Sequence, residues 1–206
     1  MAQATTSATY LAQAYHAIFA PTPMTTEEFH DRQMKCVVEA GIVTVNELNV
    51  FHGKIPAHKY CILVPRIFPA SEFKAVMGKV EYGEKKGDSY LDPQHHSDII
   101  KVPDGPFLAV GIEDGRGRLN TPPSESYKKI LAEKRQPYPT LVGIYHILTY
   151  SVIFDSHNMD LVGSRYRSVY VPDLRLRDGV PKLDAHFYDG ADPKWGAPSC
   201  EEWIVP

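Results

Sequence analysis

The chain has 206 residues, of which 43% are hydrophobic and 23% charged, and its 22 Lys and Arg against 25 Asp and Glu give a formal net charge of −3. This composition is typical of a globular protein and excludes collagen-like, coiled-coil, disulfide-dense and wholly disordered chains. The slight acidic excess gives no reason to expect a binder of duplex nucleic acid. The length fits one domain, or two small ones that share an interface.

Cysteine usage and the first residues bear on the compartment. Cys36, Cys61 and Cys200 form no C-x-x-C pair, so we expect no structural zinc site, and widely spaced thiols in odd number suit a reducing compartment. Residues 1–20 contain no Lys or Arg and no long apolar run, which argues against a secretory signal peptide. Because no stretch reaches the ~20 apolar residues of a membrane span, we predict a cytoplasmic protein without a membrane partner.

The N-terminal part predicts two helices. The first covers residues 8–19. The second starts at a capping box formed by Thr25 and Glu28, and Gly41 is a natural stop. Its apolar residues at helical spacing are Phe29, Cys36, Val37 and Ala40.

The middle of the chain alternates between apolar and polar segments. Residues 60–68 form a continuous apolar run that predicts a buried strand, and residues 107–114 predict a central strand. Residues 71–80 return to helical spacing through Phe73, Val76 and Met77. Residues 82–106, which lie between this helical segment and the predicted central strand, are polar and rich in turn residues. This composition predicts a functional or mobile loop.

Residues 124–150 predict a pair of helices. The first has Ser124 as its N-cap and a face shared by Tyr127, Ile130 and Leu131. The second follows Pro139 with Thr140 as its N-cap. Its predicted apolar stripe consists of Leu141, Ile144, Tyr145 and Leu148.

Two strand-like segments flank Asp178-Gly179, the dipeptide best suited to a type I′ hairpin turn. If these two residues form the whole loop, Arg177 faces Val180 and the register collects the apolar residues on one face. The apolar pairs are Leu176 with Pro181, Leu174 with Leu183 and Pro172 with Ala185. Helices first and strands last predict a single-domain α+β fold with a mixed or antiparallel sheet, rather than regular βαβ alternation.

The other face of the predicted hairpin carries charged residues. In this register Arg175 lies opposite Lys182, and Asp173 lies opposite Asp184. Like charges that face each other are unfavourable, although diagonal pairs of Arg175 with Asp184 and of Asp173 with Lys182 would relieve the repulsion.

Residues 163–182 hold five basic and two acidic residues, in a chain whose total charge is negative. Guanidinium groups match carboxylate and phosphate oxygens, so this segment predicts a site for an anionic small molecule or peptide. The candidate ligand-binding residues are Arg165, Arg167, Arg175 and Lys182. The alternative is a solvated face whose charges pair with one another, since such surface pairs need no ligand.

A second charged group follows the hairpin. Asp184 and His186 project from the same side of a strand, and Asp189 and Asp192 come soon after. Carboxylates and an imidazole together can bind a divalent metal. The simpler interpretation is that these polar side chains only keep the surface soluble. The sequence also lacks the phosphate-binding loop motif and the zinc-binding helix motif. We therefore predict no metal site and no cofactor.

Cys200 is the one thiol in an unusual setting, because it lies between two tryptophans and beside Ser199. A thiol enzyme needs a histidine to accept the proton and a group to orient that histidine. His186 with Asp184 or Asp189 could serve, and Cys200, His186 and Asp184 are the candidate catalytic residues. The alternative is a structural cysteine, because neighbouring acids raise the pKa of a thiol.

The C-terminal third contains a Gly-Ser-Arg, a Val-Pro, a Pro-Lys-Leu, and a Trp followed by a late Ser-Cys. These motif positions are Gly163, Ser164, Arg165, Val171, Pro172, Pro181, Lys182, Leu183, Trp195, Ser199 and Cys200. The pattern resembles a bacterial family known only as a domain of unknown function. The resemblance departs at HFYDGAD, where the family has a Cys-Trp-rich stretch. It implies a full-length single-domain protein and brings no activity with it.

Three hypotheses on function follow. The first is a binding module that holds an anionic small molecule or peptide on the basic hairpin face. The second is a structural or protein-interaction protein, for which a homodimer is possible. The third is a cysteine-dependent hydrolase or transferase that uses Cys200 and His186.

Overall fold

The computed structural model describes residues 25–206, and the helix predicted for residues 8–19 lies outside them. The first described helix, α1 (Thr26–Glu39), begins at the predicted capping box. The Glu28 amide donates to Thr25 Oγ1 at 3.2 Å, and the Thr25 amide donates to Glu28 Oε2 at 2.8 Å. Gly41 follows the helix with a φ of +63°, which suits the predicted stop.

The other α-helices of the described residues are α2 (Phe73–Met77), α3 (Pro123–Ala132) and α4 (Thr140–Tyr150). The predictions that Ser124 caps α3 and that Thr140 caps α4 are wrong, since the N-caps are Pro122 and Pro139. The fixed φ of proline suits a helix entry. The Thr140 amide donates to Ser164 Oγ at 2.8 Å instead. Short 3-10 helices occupy Asn46–Phe51, Ala70–Glu72, Pro93–His95, Arg116–Arg118 and Ser151–Asp155.

The strands within residues 25–206 are short, apart from one hairpin. In chain order they are β1 (Cys61–Val64), β2 (Glu81–Tyr82), β3 (Lys85–Lys86), β4 (Asp88–Ser89), β5 (His96–Asp98), β6 (Phe107–Val110), β7 (Gln136–Pro137), β8 (Asn158–Asp160), β9 (Ser164–Tyr166), β10 (Tyr170–Arg177), β11 (Val180–Phe187), β12 (Trp195–Gly196), β13 (Ser199–Cys200) and β14 (Glu202–Ile204).

Two sheets carry most of these strands. The smaller sheet is antiparallel, with β6 between β1 and β14, and both β1 and β6 are buried along their whole length. In the larger sheet β12, β8, β10, β11 and β4 lie side by side, and β9 and β5 extend it beside β10. The larger sheet is mixed, because β4 runs parallel to β11 and β12 parallel to β8.

The hairpin has the predicted register. Arg177 lies opposite Val180, and pairing continues outward to Tyr170 opposite Phe187. The turn residues Asp178 and Gly179 have φ values of 53° and 75°, and a type I′ turn requires positive φ at both positions.

The segment predicted as a polar loop, residues 82–106, contains short elements instead. Its strand β4 pairs with β11 and its strand β5 pairs with β9, so parts of the segment belong to the larger sheet. Elements of two or three residues are too short to produce a hydrophobic period, which explains why the sequence predicts a loop.

Helix α4 lies at the centre of the core, where it contacts α1, β1 and β10. Every residue of α4 except Leu148 is buried, so the predicted stripe widens to nearly the whole helix surface. Gly143 permits a close approach to the larger sheet, because a Cβ atom there would lie 2.4 Å from Leu161 Cδ2. The helices and the two sheets together form a single-domain α+β fold, as predicted. Within residues 25–206 no helix has both the length and the apolar character needed to cross a membrane.

Candidate functional site

Three carboxylates lie side by side on the charged face of the hairpin. Asp173 of β10 is opposite Asp184 of β11 on one side and opposite Asp160 of β8 on the other. Asp160 and Asp173 are fully buried, so this row needs positive partners to be stable. The hairpin-face cluster is defined here as these carboxylates and their neighbours Arg175, His186 and Trp195.

His186 supplies one positive partner, and it lies between the two buried carboxylates. Its Nδ1 is 3.2 Å from Asp173 Oδ2, and its Nε2 is 3.3 Å from Asp160 Oδ1. Its side chain retains 23% exposure, so water reaches the imidazole while both aspartates are covered. With both ring nitrogens facing carboxylates, His186 is placed to hold a proton between them.

The environment of the cluster favours protonated groups. Burial raises the pKa of Asp160 to about 8, against an opposing effect of His186. Burial also raises the pKa of Asp173, although His186 and Arg175 oppose this. Burial alone would lower the pKa of His186, but the hydrogen bond to Asp173 and the charges of both aspartates outweigh it and raise that pKa.

Arg175 supplies the other positive charge of the cluster. Its Nε is 3.4 Å from Asp173 Oδ1, and its Nη2 pairs with Asp184, which is the predicted diagonal pair. Its guanidinium carbon lies 5.6 Å from the centre of the Trp195 ring. The same indole is 4.5 Å from the His186 ring, so Trp195 lies against both cationic side chains.

Lys182 faces Arg175 across the hairpin but does not form the predicted pair with Asp173. Its Nζ lies 3.1 Å from Asp88 Oδ2 and 4.4 Å from the centre of the Tyr90 ring. Because β4 adds Asp88 to the sheet beside β11, the pairing partner of Lys182 comes from a strand that the sequence does not reveal.

The two remaining candidate arginines lie elsewhere. Arg165 is half-buried, with its guanidinium carbon 3.8 Å from the centre of the Tyr188 ring, and it donates to the carbonyl oxygens of Val162 and Ser164 at 3.0 and 2.7 Å. Arg167 lies over Tyr166 at 5.4 Å. The structure therefore brings Arg175 and Lys182 together without Arg165 or Arg167, and anion binding by the four residues stays a prediction.

Cys200 lies in a different setting from the one a thiol enzyme needs. It is fully buried in β13, and burial raises the pKa of its thiol well above the usual value. His186 directs its nitrogens to Asp160 and Asp173, while Asp184 pairs with Arg175. The arrangement does not support a Cys200 nucleophile with His186 as its base.

A second contact between a thiol and an imidazole occurs in the core. Cys61 Sγ is 3.1 Å from His30 Nε2, and both side chains are buried. Burial raises the pKa of Cys61 to about 12 and lowers that of His30 to about 4. A neutral thiol beside a neutral imidazole is unreactive, so this pair is structural.

A mostly apolar opening lies away from the hairpin, beside α1. It has a volume of about 620 Å³ and separates α1 from the 3-10 helix Asn46–Phe51 and the residues that follow. We call it the α1 cleft. Its apolar walls consist of Met34, Val38, Val45, Leu48, Phe51 and Ile55, and its polar rim consists of Lys35, Glu39, Asn49 and His52.

One wall of the α1 cleft is the margin of the apolar stripe of α1. Phe29 and Val37 of this stripe are buried in the core, while Met34 and Val38 pack partly against the core and also line the cleft. Of the stripe predicted for α1, Phe29 and Val37 are buried, whereas Cys36 and Ala40 are partly exposed.

The charged face of the hairpin follows from the predicted register. The sequence does not reveal Asp160, the contacts of Trp195 with His186 and Arg175, or the α1 cleft. Strand β8 has three residues, which is too short for a periodic signal. Met34 and Val38 are apolar in the sequence, but a sequence does not show how much of each side chain the fold covers. In the described part of the chain, no group of three or more His, Cys, Asp and Glu side chains is arranged to hold a metal ion.

The chain matches no protein-family model, no curated protein and no solved structure. Its resemblance to a domain-of-unknown-function family therefore stays a prediction.

Proposed function

We propose that this protein binds an amphipathic small molecule with an apolar body and a carboxylate group in the α1 cleft. The observation that carries the proposal is the cleft itself, about 620 Å³ with mostly apolar walls. Pockets of roughly 300–1,000 Å³ with apolar walls and a few polar groups are typical of small-molecule sites. An anionic small molecule is also the ligand class expected from the sequence, but the proposed site lies beside α1 rather than on the hairpin.

The shape of the cleft favours a ligand with an apolar body. Leu48 and Phe51 form its floor and are almost fully buried, while Val45 at its margin is 66% exposed. An apolar ligand would cover Val45 and the exposed parts of Met34 and Val38, which stabilises the complex by roughly 25 cal/mol for each Å² removed from water.

The rim favours a carboxylate over a neutral head group. Lys35 and His52 both border the cleft and can donate hydrogen bonds to an anion, against one acidic side chain, Glu39. Lys35 contacts Glu39 at 3.8 Å, but the two side chains are 73% and 63% exposed, so this pair is weak and a ligand carboxylate can compete for the lysine.

The hairpin is a less favourable place for an anion. Arg175 and Lys182 already lie beside the carboxylates of Asp184 and Asp88. An anion that approached them would have to displace these carboxylates.

Calorimetric titration of the full chain with decanoate tests the proposal. We expect saturable binding, and Val38→Trp should weaken it by at least about tenfold because the indole fills the cleft, a loss of about 1.4 kcal/mol. Val50→Trp is the matched control, since Val50 is 47% exposed on the same segment but does not line the cleft. Absence of binding, or equal loss in both variants, would contradict the proposed function.

A comparison of decanoate with decanol tests the carboxylate. Lys35→Gln should weaken decanoate about threefold, in line with the modest energy of an exposed ion pair, and leave decanol unchanged. Lys74→Gln removes a similarly exposed lysine outside the cleft and should change neither. Equal binding of decanol and decanoate to the natural chain would rule out the anionic head group while leaving the apolar site in place.

A further inference from the structure

The hairpin-face cluster has more carboxylates than permanent positive charges. Asp160, Asp173 and Asp184 lie in one row, and Arg175 contacts two of them. The negative charge of Asp192, from the segment that follows the hairpin, also acts on Asp160. Lys182 does not offset this excess, since it pairs with Asp88.

Asp160 depends on a proton more than the other carboxylates do. It is fully buried, and among the described residues neither of its oxygens receives a well-aligned hydrogen bond. The nearest cationic group is His186, whose Nε2 is 3.3 Å from Asp160 Oδ1. A proton on either His186 or Asp160 is therefore needed to keep an uncompensated charge out of the interior.

The segment around Trp195, which includes the edge strand β12, lies against His186. Strand β12 has two residues, and the Trp195 ring lies against the His186 ring. The Asn158 amide donates to the Lys194 carbonyl at 2.8 Å, and the Asn120 amide donates to the Trp195 carbonyl at 3.2 Å. The Trp195 amide also donates to the Asp192 carbonyl at 3.0 Å within the segment itself. Among the described strands β12 pairs with β8 alone, at the edge of the larger sheet, so it can separate with less disruption than an inner strand.

We propose that the hairpin-face cluster is a pH-dependent closure: one proton shared by His186, Asp160 and Asp173 keeps the segment around Trp195 on the larger sheet, and loss of that proton releases the segment. Once the proton leaves, the row of carboxylates faces Arg175 alone. Water must then enter to solvate Asp160, and the Trp195 segment moves aside to admit it. The proposal is independent of ligand binding in the α1 cleft.

The direction of the pH effect follows from the groups involved. In the folded chain the pKa of His186 is raised and that of Asp160 is raised to about 8, so the folded state holds protons that the unfolded chain has already released. The stabilisation is therefore complete at low pH and is lost as the pH rises towards about 8.

Tryptophan fluorescence tests the closure directly. The sequence contains two tryptophans, so Trp203→Phe leaves Trp195 as the sole emitter. We expect the Trp195 emission of this variant to shift to longer wavelength between pH ~6.5 and ~9.5, as the indole becomes hydrated. Hydrogen-exchange protection factors of the Asn158 and Trp195 amides should fall over the same range, while those of β6 stay constant.

Two further variants in the Trp203→Phe background assign the transition. His186→Gln and Asp160→Asn should each abolish it, because each removes one of the three groups that share the proton. His95→Gln is the control, since its imidazole contacts Asp92 on the exposed surface, and it should leave the transition unchanged. If the Asp160→Asn variant does not fold, the His186→Gln variant alone tests the proposed closure. A constant Trp195 spectrum, or a transition that persists in His186→Gln, would overturn the proposal.

Discussion

Single buried residues determine how this protein responds to acid. His30 lies 3.1 Å from Cys61, and burial lowers its pKa to about 4. Burial has the same effect on His146 in the middle of α4, where the pKa is also about 4. Both imidazoles stay neutral in the folded chain at pH values where an unfolded histidine, with a pKa of about 6.5, is already charged.

The contribution of these two histidines to stability should consequently fall as the pH drops from about 6.5 towards about 4, since both bind more protons in the unfolded chain over this range. In His30→Gln the loss between pH ~6.5 and ~5 should be smaller by about 1–2 kcal/mol, because one contributing group is gone, even though the variant is less stable at neutral pH. Urea unfolding at several pH values measures this. The control is His58→Gln at an exposed site, and an identical pH dependence in His30→Gln and the natural chain would refute the assignment.

At the scale of elements, the hairpin is the part that the sequence specifies most completely. The type I′ turn requires positive φ at both central positions, and Asp178 and Gly179 adopt it. Only one register then places Leu174 and Leu183 on the buried face. The capping box of α1 is similarly local. Each of these features is determined by a few adjacent residues, which is why it could be predicted without the structure.

Gly179→Ala should destabilise the chain by about 1–2 kcal/mol, the usual cost of placing a Cβ in the left-handed region. The Cβ itself would meet the flexible end of Lys85 at 3.1 Å, so the backbone effect dominates. Gly105→Ala is the matched control, because Gly105 has no positive φ and its Cβ would have open space. Chemical denaturation compares the two variants, and equal stability would show that the turn tolerates a side chain.

Other elements depend on contacts that are distant in the chain. Leu131 was expected to share the face of Ile130, yet Ile130 is buried and Leu131 is 46% exposed, because α3 contacts the rest of the protein along a narrower strip than its apolar pattern suggests. Asp160 of the hairpin-face cluster comes from a three-residue strand that forms only beside β10. Four of the six residues of the cluster were therefore predictable from the hairpin register, and Asp160 and Trp195 required the assembled sheet.

At the scale of the whole molecule, two regions carry different chemistry. The hairpin-face cluster lies on the larger sheet and is rich in carboxylates, whereas the α1 cleft lies beside the first helix and is mostly apolar. Helix α4 contacts both α1 and β10. This division explains why a ligand with an apolar body is expected at α1, while the charged hairpin responds to protons.

The most direct test of the ligand site is the mapping of amide chemical shifts in the isotope-labelled full chain during titration with decanoate. We expect saturable shifts confined to residues 34–39 and 45–55, with the amides of Arg175 and Lys182 unchanged. Shifts centred on Arg175 and Lys182, or no saturable shift at all, would contradict it.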